Sequence, residues 1–335
     1  MFRKKLQEFA PGKIFLISFL ALTLFFAFGH PAAAQTKKTN ISVASGATGG
    51  VYYVMGGGLA ALISKYVPGV DATAEVTAAS VDNCKLVMAG KSDLAFSYTD
   101  VAYSAYAGLD RFKPAGKAGS VLRALAMLYP GYNHIVTLEG RGIQEAKDLK
   151  GKRVSTGPPG SGTEVMALKV LEALGIDPGK DIGRERLTMN ESAGALKDGK
   201  IDAFFVNAGA PMSSVLDLAS TPGMKMKLIP HDFLLDKINA KYGPIYFRLT
   251  IPQKAYPGMT RDVPVLAVGN VLFCHEKLDE KIAYSIAKAI FDHRDELVLV
   301  HKEAENIILK NAPTGSPLPF HPGAARYYKE KGVLK

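Results

Sequence analysis

The sequence predicts an α/β protein of two similar lobes with a ligand cleft between them. Strand-like and helix-like runs alternate along the chain, and one strand–glycine loop–helix pattern occurs twice. Alternating strands and helices indicate βαβ units and a parallel sheet. The chain has 335 residues, 47% hydrophobic and 21% charged. This is the composition of a globular protein, and the length suits two domains of roughly 150 residues each.

The first element is a targeting segment, residues 1–34. Four basic residues precede the uncharged apolar run 14–29, and Ala32 to Ala34 then supply an A-x-A cleavage site. This is the pattern of a secretory signal peptide, so we expect cleavage near Ala34/Gln35 and a periplasmic location. A membrane anchor is the alternative, but the run is shorter than the ~20 residues of a spanning helix. Cleavage would reduce the net charge from +10 to +7.

The strand–glycine loop–helix pattern occurs first at residues 41–67 and again at residues 153–174. Residues 41–46 form a strand-like run that ends in glycine, and a Gly-rich loop precedes a helical pattern over 51–67. Residues 153–157 repeat the strand and glycine, before a second loop and a helix over 163–174. In each copy a Gly-Lys-x-Asp turn then introduces an apolar strand, at 90–93 and at 199–202. Two like lobes would therefore face each other.

The rest of the chain predicts a return to the first lobe. Strand-like runs cover 245–251 and 265–274, and a helix is expected from Asp279 to about Ala304. The predicted organisation is residues 35–130 plus 255–335 in lobe 1 and residues 131–254 in lobe 2, with two crossings between them. The carboxyl ends of the strands would line the cleft, and a hinged pair of lobes closes around its ligand.

Each Gly-rich loop opens a helix, and free N–H groups at a helix start favour an anion. Capping is the alternative for the second loop, because Ser161 and Glu164 fit a capping box. For the first loop the alternative is tight packing between helix and strand, and the glycines 56–58 are also assigned to packing.

The candidate site residues lie in these loops or at strand ends. Tyr98 and Asn207 follow the two Gly-Lys-x-Asp strands, although Asn207 also suits a turn. Tyr52 and Tyr53 are adjacent on a helix, so only one is expected to face the ligand. The full set of candidate ligand-binding residues is Thr48, Gly49, Gly50, Tyr52, Tyr53, Ser80, Asn83, Tyr98, Gly160, Ser161, Gly162, Thr163 and Asn207.

Other functional classes have little support. The second loop lacks the lysine of a phosphate-binding loop, and no H-E-x-x-H or G-x-S-x-G motif occurs. We therefore expect no enzyme activity, no cofactor and no metal. The basic residues are scattered, which argues against nucleic acid as a partner. His134 lies in an apolar run and is expected to be a packed or a surface histidine without a functional role. Whether Cys84 and Cys274 pair stays open.

At these residues the sequence resembles the TAXI family, the solute receptors of TRAP-type secondary transporters. The resemblance covers most of the chain after residue 34. It rests on the Thr77/Ser80/Asn83 spacing and on SGATGGVYY (45–53), GKSDLAF (90–96), DLKGKRV (148–154), GPPGSGT (157–163), DGKIDAFF (198–205), YPG (256–258) and HPGAARYY (321–328). Pro158-Pro159 is stiffer than the loop of many members, and the two cysteines lie outside the family pattern.

The resemblance implies a periplasmic-binding-protein-like fold of type II. It also implies a monomeric extracytoplasmic receptor that delivers a small organic anion to a TRAP-type membrane permease. Dicarboxylates, oxo acids and glutamate-like amino acids are the ligand classes it implies. One alternative is the solute-binding protein of an ABC importer or of a sensor system. Another is an exported enzyme on the same scaffold.

Overall fold

Ten strands form one twisted sheet, with helices packed on it. The computed structural model describes residues 38–335, except for the side chains of 114–119; the predicted signal peptide and its cleavage site lie outside this range. Residues 39–335 make up one unit. Across the described residues, no helix combines the length and the apolar character that a membrane crossing needs.

The strands and helices alternate as the sequence predicts. The strands are β1 (Thr39–Ala44), β2 (Val70–Glu75), β3 (Leu94–Tyr98), β4 (Leu122–Leu138), β5 (Arg153–Ser155), β6 (Gly183–Glu185), β7 (Ala203–Ala208), β8 (Met226–Leu228), β9 (Tyr246–Ile251) and β10 (Val263–His275). The helices are α1 (Val51–Tyr66), α2 (Ser80–Met88), α3 (Thr99–Ala107), α4 (Gly162–Leu174), α5 (Met189–Lys197), α6 (Ser213–Ser220), α7 (Leu235–Tyr242), α8 (Glu280–Asp292), α9 (Arg294–Val300) and α10 (Pro322–Glu330).

The sheet contains two parallel groups of strands joined by two long antiparallel strands. Its order is β2-β1-β3-β10-β4-β7-β5-β6, with β8 beside β4 and β9 beside β10. We call β1–β3 with α1–α3 the first half, and β5–β7 with α4–α6 the second half. Within each half the strand pairs are parallel. This is the mixed α/β architecture of the periplasmic-binding-protein-like fold.

The crossing strands, β4 and β10, connect the two halves. β10 pairs with β3 through residues 270–274, and β4 pairs with β7 through residues 132–137. The two strands also pair with each other, with register shifts near Gly269 and Leu272. Irregularities of this kind bend a strand. The lobe boundaries at 130/131 and 254/255 stay a prediction.

The repeated strands are buried on both faces. All five residues of β3 and all six of β7 are buried, which explains their nearly continuous apolar sequence. The glycines inside α1 serve packing in part. A Cβ at Gly56 would lie 2.6 Å from Ser45 Cβ, whereas one at Gly57 would meet nothing within 4 Å.

The C-terminal helical region is divided, and Cys84 and Cys274 do not form a disulfide. The single helix expected over 279–304 is wrong, because the helical chain is interrupted at His293 and a 3₁₀ turn covers Lys302–Asn306. The backbone of His293 has φ −124°, which is not helical. Cys84 and Cys274 are both buried and free, so they do not pair in this structure.

Candidate functional site

A small cavity of about 40 Å³ lies where the starts of α1 and α4 face each other across the crossing strands. Both halves supply its walls. Its polar lining residues are Tyr52, Tyr98, Tyr129, Ser161, Thr163 and Asn207, and its larger apolar ones are Val51, Leu187, Met189 and Phe205. The cavity could hold a few waters or a small organic group.

The two helix starts direct free backbone donors to this region. No residue within 38–335 accepts a hydrogen bond from the N–H of Gly162 or Thr163, at the start of α4. The N–H groups of Val51 and Tyr52 at the start of α1 are equally free within that range, and Gly50 supplies no side-chain cap. Unpaired N–H groups at a helix start form a site for a negatively charged or polar acceptor.

Ser161 caps α4 but does not form the expected capping box. Its Oγ accepts the Glu164 N–H at 3.1 Å and donates to the Pro158 carbonyl at 2.7 Å. The Glu164 carboxylate turns away to three guanidinium groups, from Arg111 at 2.6 Å, Arg184 at 2.7 Å and Arg186 at 2.8 Å. A capping role for Ser161 is thus present, and it leaves the N–H groups of the first two helical residues free.

Two cavity side chains have buried polar atoms for which residues 38–335 offer no hydrogen-bond partner. They are Tyr129 Oη and both amide atoms of Asn207. Each residue is about 2% exposed. A buried donor or acceptor without a partner costs about 1–3 kcal/mol. Polar groups retained at that cost on a cavity wall are suited to bind a ligand.

The other tyrosine hydroxyls of the site already have partners. Tyr52 Oη donates to Asn270 Oδ1 on β10, and Tyr98 Oη donates to the Asn207 carbonyl in the opposite half. Burial raises the pKa of Tyr52, Tyr98 and Tyr129 above the usual tyrosine value, so all three are uncharged at neutral pH. None of the described residues that line the cavity is Asp, Glu, Lys or Arg. The cavity therefore has neutral donors and acceptors.

Seven of the thirteen candidate residues line the cavity. They are Gly50, Tyr52, Tyr98, Ser161, Gly162, Thr163 and Asn207. Between the adjacent tyrosines, Tyr52 faces inward and is 7% exposed, whereas Tyr53 is 41% exposed. Their role in ligand binding stays a prediction.

The other six candidates, Thr48, Gly49, Tyr53, Ser80, Asn83 and Gly160, do not line it. Asn83 has a structural position, because its Nδ2 donates to the carbonyls of Ala44 (3.2 Å), Ser45 (2.8 Å) and Phe96 (2.8 Å). Its Oδ1 accepts from Thr77 at 2.6 Å. Its bonds join α2 to β1, to the residue that follows β1, to β3 and to the loop before α2.

Two of those six, Gly160 and Gly49, hold the halves together, and Ser80 bonds within the first half. The Gly160 carbonyl accepts the N–H groups of Val81 and Asp82, and Ser213 Oγ donates to the Gly49 carbonyl at 3.1 Å. Ser80 Oγ accepts the Tyr98 N–H at 3.2 Å. These residues do not line the cavity. They bond to the elements that form its walls.

Gly162 has no free space at its Cα. A Cβ there would overlap the Tyr98 ring and lie 2.7 Å from Ser80 Oγ. A larger side chain at 162 would therefore meet the opposite half, and not the position expected for a ligand carboxylate.

Sequence reasoning missed Tyr129, Phe205 and Met189. Tyr129 lies within the long strand β4, directly before Pro130-Gly131, and that Pro-Gly pair is the local signal that could have drawn attention to it. Phe205 belongs to the strand before Asn207, and the side-chain alternation of a strand could have placed both on one face of the sheet. Met189 starts α5, the counterpart of α2 in the repeat.

His134 is buried between the Tyr132 carbonyl (Nδ1, 2.9 Å) and Tyr256 Oη (Nε2, 3.0 Å). Burial lowers the pKa of His134 to about 4, and burial likewise lowers the pKa of His231 to about 4. Both imidazoles are neutral at pH 7. Within residues 38–335, no group of three or more His, Cys, Asp or Glu side chains could hold a metal ion.

The fold, with a cavity between two halves joined by crossing strands, defines a protein of the periplasmic-binding-protein-like class. The profile of the NMT1-like family matches residues 43–332, and the chain belongs to that family. This profile does not specify TAXI receptors, so the narrower resemblance stays a prediction.

Solved structures share the fold at low sequence identity. A protein from Bordetella bronchiseptica RB50 is 17% identical, with a TM-score of 0.53, over 89% of this chain and 90% of that one. The ligand binding component of an ABC-type import system from Staphylococcus aureus, solved with zinc bound, is 14% identical, with a TM-score of 0.50, over 89% and 93%. The periplasmic aliphatic sulphonate binding protein of Escherichia coli is 16% identical, with a TM-score of 0.45, over 87% and 82%.

Proposed function

We propose that this protein is an extracytoplasmic receptor that captures a small organic molecule between its halves and delivers it to a membrane importer. The observation that carries the proposal is the pair of unpartnered buried groups, Tyr129 Oη and the Asn207 amide. They share a cavity with the free N–H groups of Gly162 and Thr163. Four of these groups can donate and Asn207 Oδ1 accepts, so a ligand with two acceptor oxygens and one donor would satisfy all of them.

The proposed ligand is a small organic anion. The start of α4 offers two free N–H groups with the helix dipole behind them, which favours a carboxylate. No cationic side chain is among the described lining residues, so neutral donors would bind the charge. The carbon skeleton would lie against Tyr52 and Phe205. The family resemblance implies dicarboxylates, oxo acids and glutamate-like amino acids as ligand classes. Within this range, an acid with a single carboxylate and one polar substituent suits the lining best.

Ligand capture would involve closure of the two halves. Tyr98 Oη, Gly160 and Ser213 each make a hydrogen bond from one half to the other, and these contacts surround the cavity. Separating the halves would open the cavity to solvent. Closure would exclude water and strengthen each bond to the ligand, since hydrogen bonds are stronger at low dielectric.

For the importer, we favour the ABC type over the TRAP type. The Staphylococcus aureus structure is the ligand binding component of an ABC-type import system and shares the fold over most of both chains. The TRAP-type permease rests on the TAXI resemblance alone. Uptake of the radiolabelled ligand by cells separates the two, because vanadate should stop an ATP-driven importer and an ionophore should stop an ion-driven one.

The receptor function is tested by native mass spectrometry of the chain from Gln35 to Lys335, purified without added ligand. We expect a small molecule bound at one per chain and released unchanged on denaturation. A bound molecule that is converted to a product on incubation would support the exported enzyme instead. A chain that binds no small organic acid, in calorimetric titrations with mono- and dicarboxylates, would contradict the receptor function.

A further inference from the structure

A second and much larger cavity lies against the crossing strands. Its volume is about 750 Å³, within the range of about 300–1,000 Å³ typical of ligand sites. The floor is formed by Met127 to Pro130 of β4 with Gly269 and Asn270 of β10. We call this space the back groove.

Three segments form the walls of the back groove. Thr99 and Tyr103 of α3 form one wall, residues 242–249 from the end of α7 into β9 form another, and residues 306–317 form the third. These segments are distant in the sequence. Because both crossing strands contribute to the floor, the groove is a feature of the assembled sheet.

Four aromatic side chains contribute to the lining of the groove. Tyr103, Tyr129, Tyr242 and Phe247 all line it. Tyr103 is 41% exposed and Phe247 is 38% exposed, so ring surface is open to an incoming molecule. Aromatic rings bind other rings through stacked or edge-to-face contacts in addition to the burial of apolar area.

The groove has no charged lining residue among those the structure describes, although the chain carries 41 basic and 31 acidic residues. Its polar lining groups are neutral and include Thr99, Asn270 and Asn311. The one helix start among its described lining residues is Thr99 of α3, whose first turn already carries the Asp100 carboxylate, so an ion that entered the groove would lose hydration with little compensation. An uncharged molecule would not incur this cost.

The groove is adjacent to the cavity between the halves. Tyr129 lines both spaces, and Asn270 donates from Nδ2 to the Tyr129 carbonyl at 2.7 Å while its Oδ1 accepts from Tyr52. The two spaces are thus separated by single residues of the crossing strands.

We infer that the back groove is a second binding site, distinct from the proposed receptor site, for an uncharged small molecule that contains an aromatic ring. Size, ring content and the charge-free lining together define this ligand class. The ligand of the proposed receptor site is a small polar acid, so the two sites would take different compounds.

Two fluorescent probes test the inference directly. N-phenyl-1-naphthylamine is uncharged, and 1-anilinonaphthalene-8-sulfonate has the same rings with an added sulfonate. We expect saturable binding of the uncharged probe at one per chain, about tenfold or more tighter than the sulfonate in 0.15 M salt. Equal or tighter binding of the sulfonate would overturn the charge argument.

Substitutions locate the probe. Phe247→Asp and Ile308→Asp each introduce a carboxylate at a partly exposed groove position, and each should weaken the uncharged probe about tenfold or more. Phe233→Asp is the matched control, because Phe233 is 57% exposed and does not line the groove. Circular dichroism confirms the fold of each variant. Unchanged binding in both groove variants, or equal loss in the control, would overturn the inference.

Discussion

At the scale of single residues, two kinds of buried polar side chain can be compared, those bonded to the framework and those without a partner on the cavity wall. Asn83 has a partner for each of its amide atoms, and all these partners belong to the framework. Tyr129 Oη and the Asn207 amide have none among residues 38–335 and line the cavity, whereas the Asn133 amide also has none there but does not line it. The first group is expected to support the fold, and the second group to support ligand binding.

Tyr129→Phe separates these two roles. The hydroxyl has no partner, so its removal should leave the unfolding free energy unchanged or raise it slightly. Ligand affinity should fall about tenfold, as expected for one lost hydrogen bond in a closed site. Calorimetry and thermal unfolding measure the two effects. A large loss of stability with unchanged affinity would assign the hydroxyl to the fold.

Asn83→Ala should show the opposite result. The three carbonyls it binds would be left without this donor, and the Thr77 hydroxyl would lose its acceptor. We expect the unfolding free energy to fall by about 3–5 kcal/mol in urea denaturation. Asn207→Ala is the control and should cost far less stability, because its amide has no partners. Similar losses in both variants would contradict the division.

The buried histidines predict how stability depends on pH. His134 and His231 have folded-state pKa values of about 4, below the usual 6.5, so the unfolded chain binds more protons between these values. The contribution of each neutral histidine to the unfolding free energy is therefore fully present above pH 6.5. It is lost as the pH drops toward 4, by about 3 kcal/mol for each histidine.

His231→Asn tests this effect. Asparagine can keep the donor that now faces the Ile229 carbonyl at 3.0 Å, but it does not titrate. The loss of unfolding free energy between pH 6.5 and pH 4 should shrink by about 3 kcal/mol, measured by urea denaturation across that range. An unchanged pH dependence would show that His231 is already accessible to protons in the folded chain.

At the scale of elements, the two helix starts determine how closely the halves approach. Gly162 at the start of α4 packs directly on Tyr98 of β3, and the Gly160 carbonyl binds the start of α2. The φ angle of Gly162 is not among the positive values of the chain, so backbone conformation does not require glycine there. The close contact with Tyr98 does.

Gly162→Ala should therefore impair closure more than folding. Its methyl group would overlap the Tyr98 ring, which belongs to the other half. We expect a larger radius of gyration with ligand present than for the wild type, measured by small-angle scattering, and affinity reduced about tenfold or more. Gly57→Ala, a glycine inside α1 with nothing within 4 Å of its Cβ, is the control and should change neither. Compaction equal to that of the wild type would show that the contact adapts.

The sequence predicts elements well where the pattern is local. The repeated strand–loop–helix units predict α1 and α4, and their Gly-Lys-x-Asp turns predict β3 and β7. The interruption at His293 was not predicted, because the apolar spacing continues through it and tertiary contacts decide the break. Tyr129 was missed for a related reason. Its role depends on which strands cross, and that is a long-range property.

At the scale of the whole molecule, the crossing strands and a buried ion pair link the halves. Lys169 of α4 donates to Asp100 of α3 at 2.9 Å and to Tyr246 Oη at 2.6 Å, and Tyr246 donates to Asp100 at 2.7 Å. A buried pair of this kind is costly to separate, because each charge would lose its partner. The arrangement of the halves is therefore specified by polar contacts as well as by the crossing strands.

The central claim is that a small molecule binds between the halves through the unpartnered groups. Its most direct test is calorimetric titration of the ligand released from the purified protein into the wild type and into Asn207→Ala. The backbone of Asn207 bonds to Tyr98 and Thr163, and these bonds survive the substitution. We predict one site per chain and an affinity about tenfold or more weaker in the variant. Equal affinity in the two proteins would contradict the proposed site.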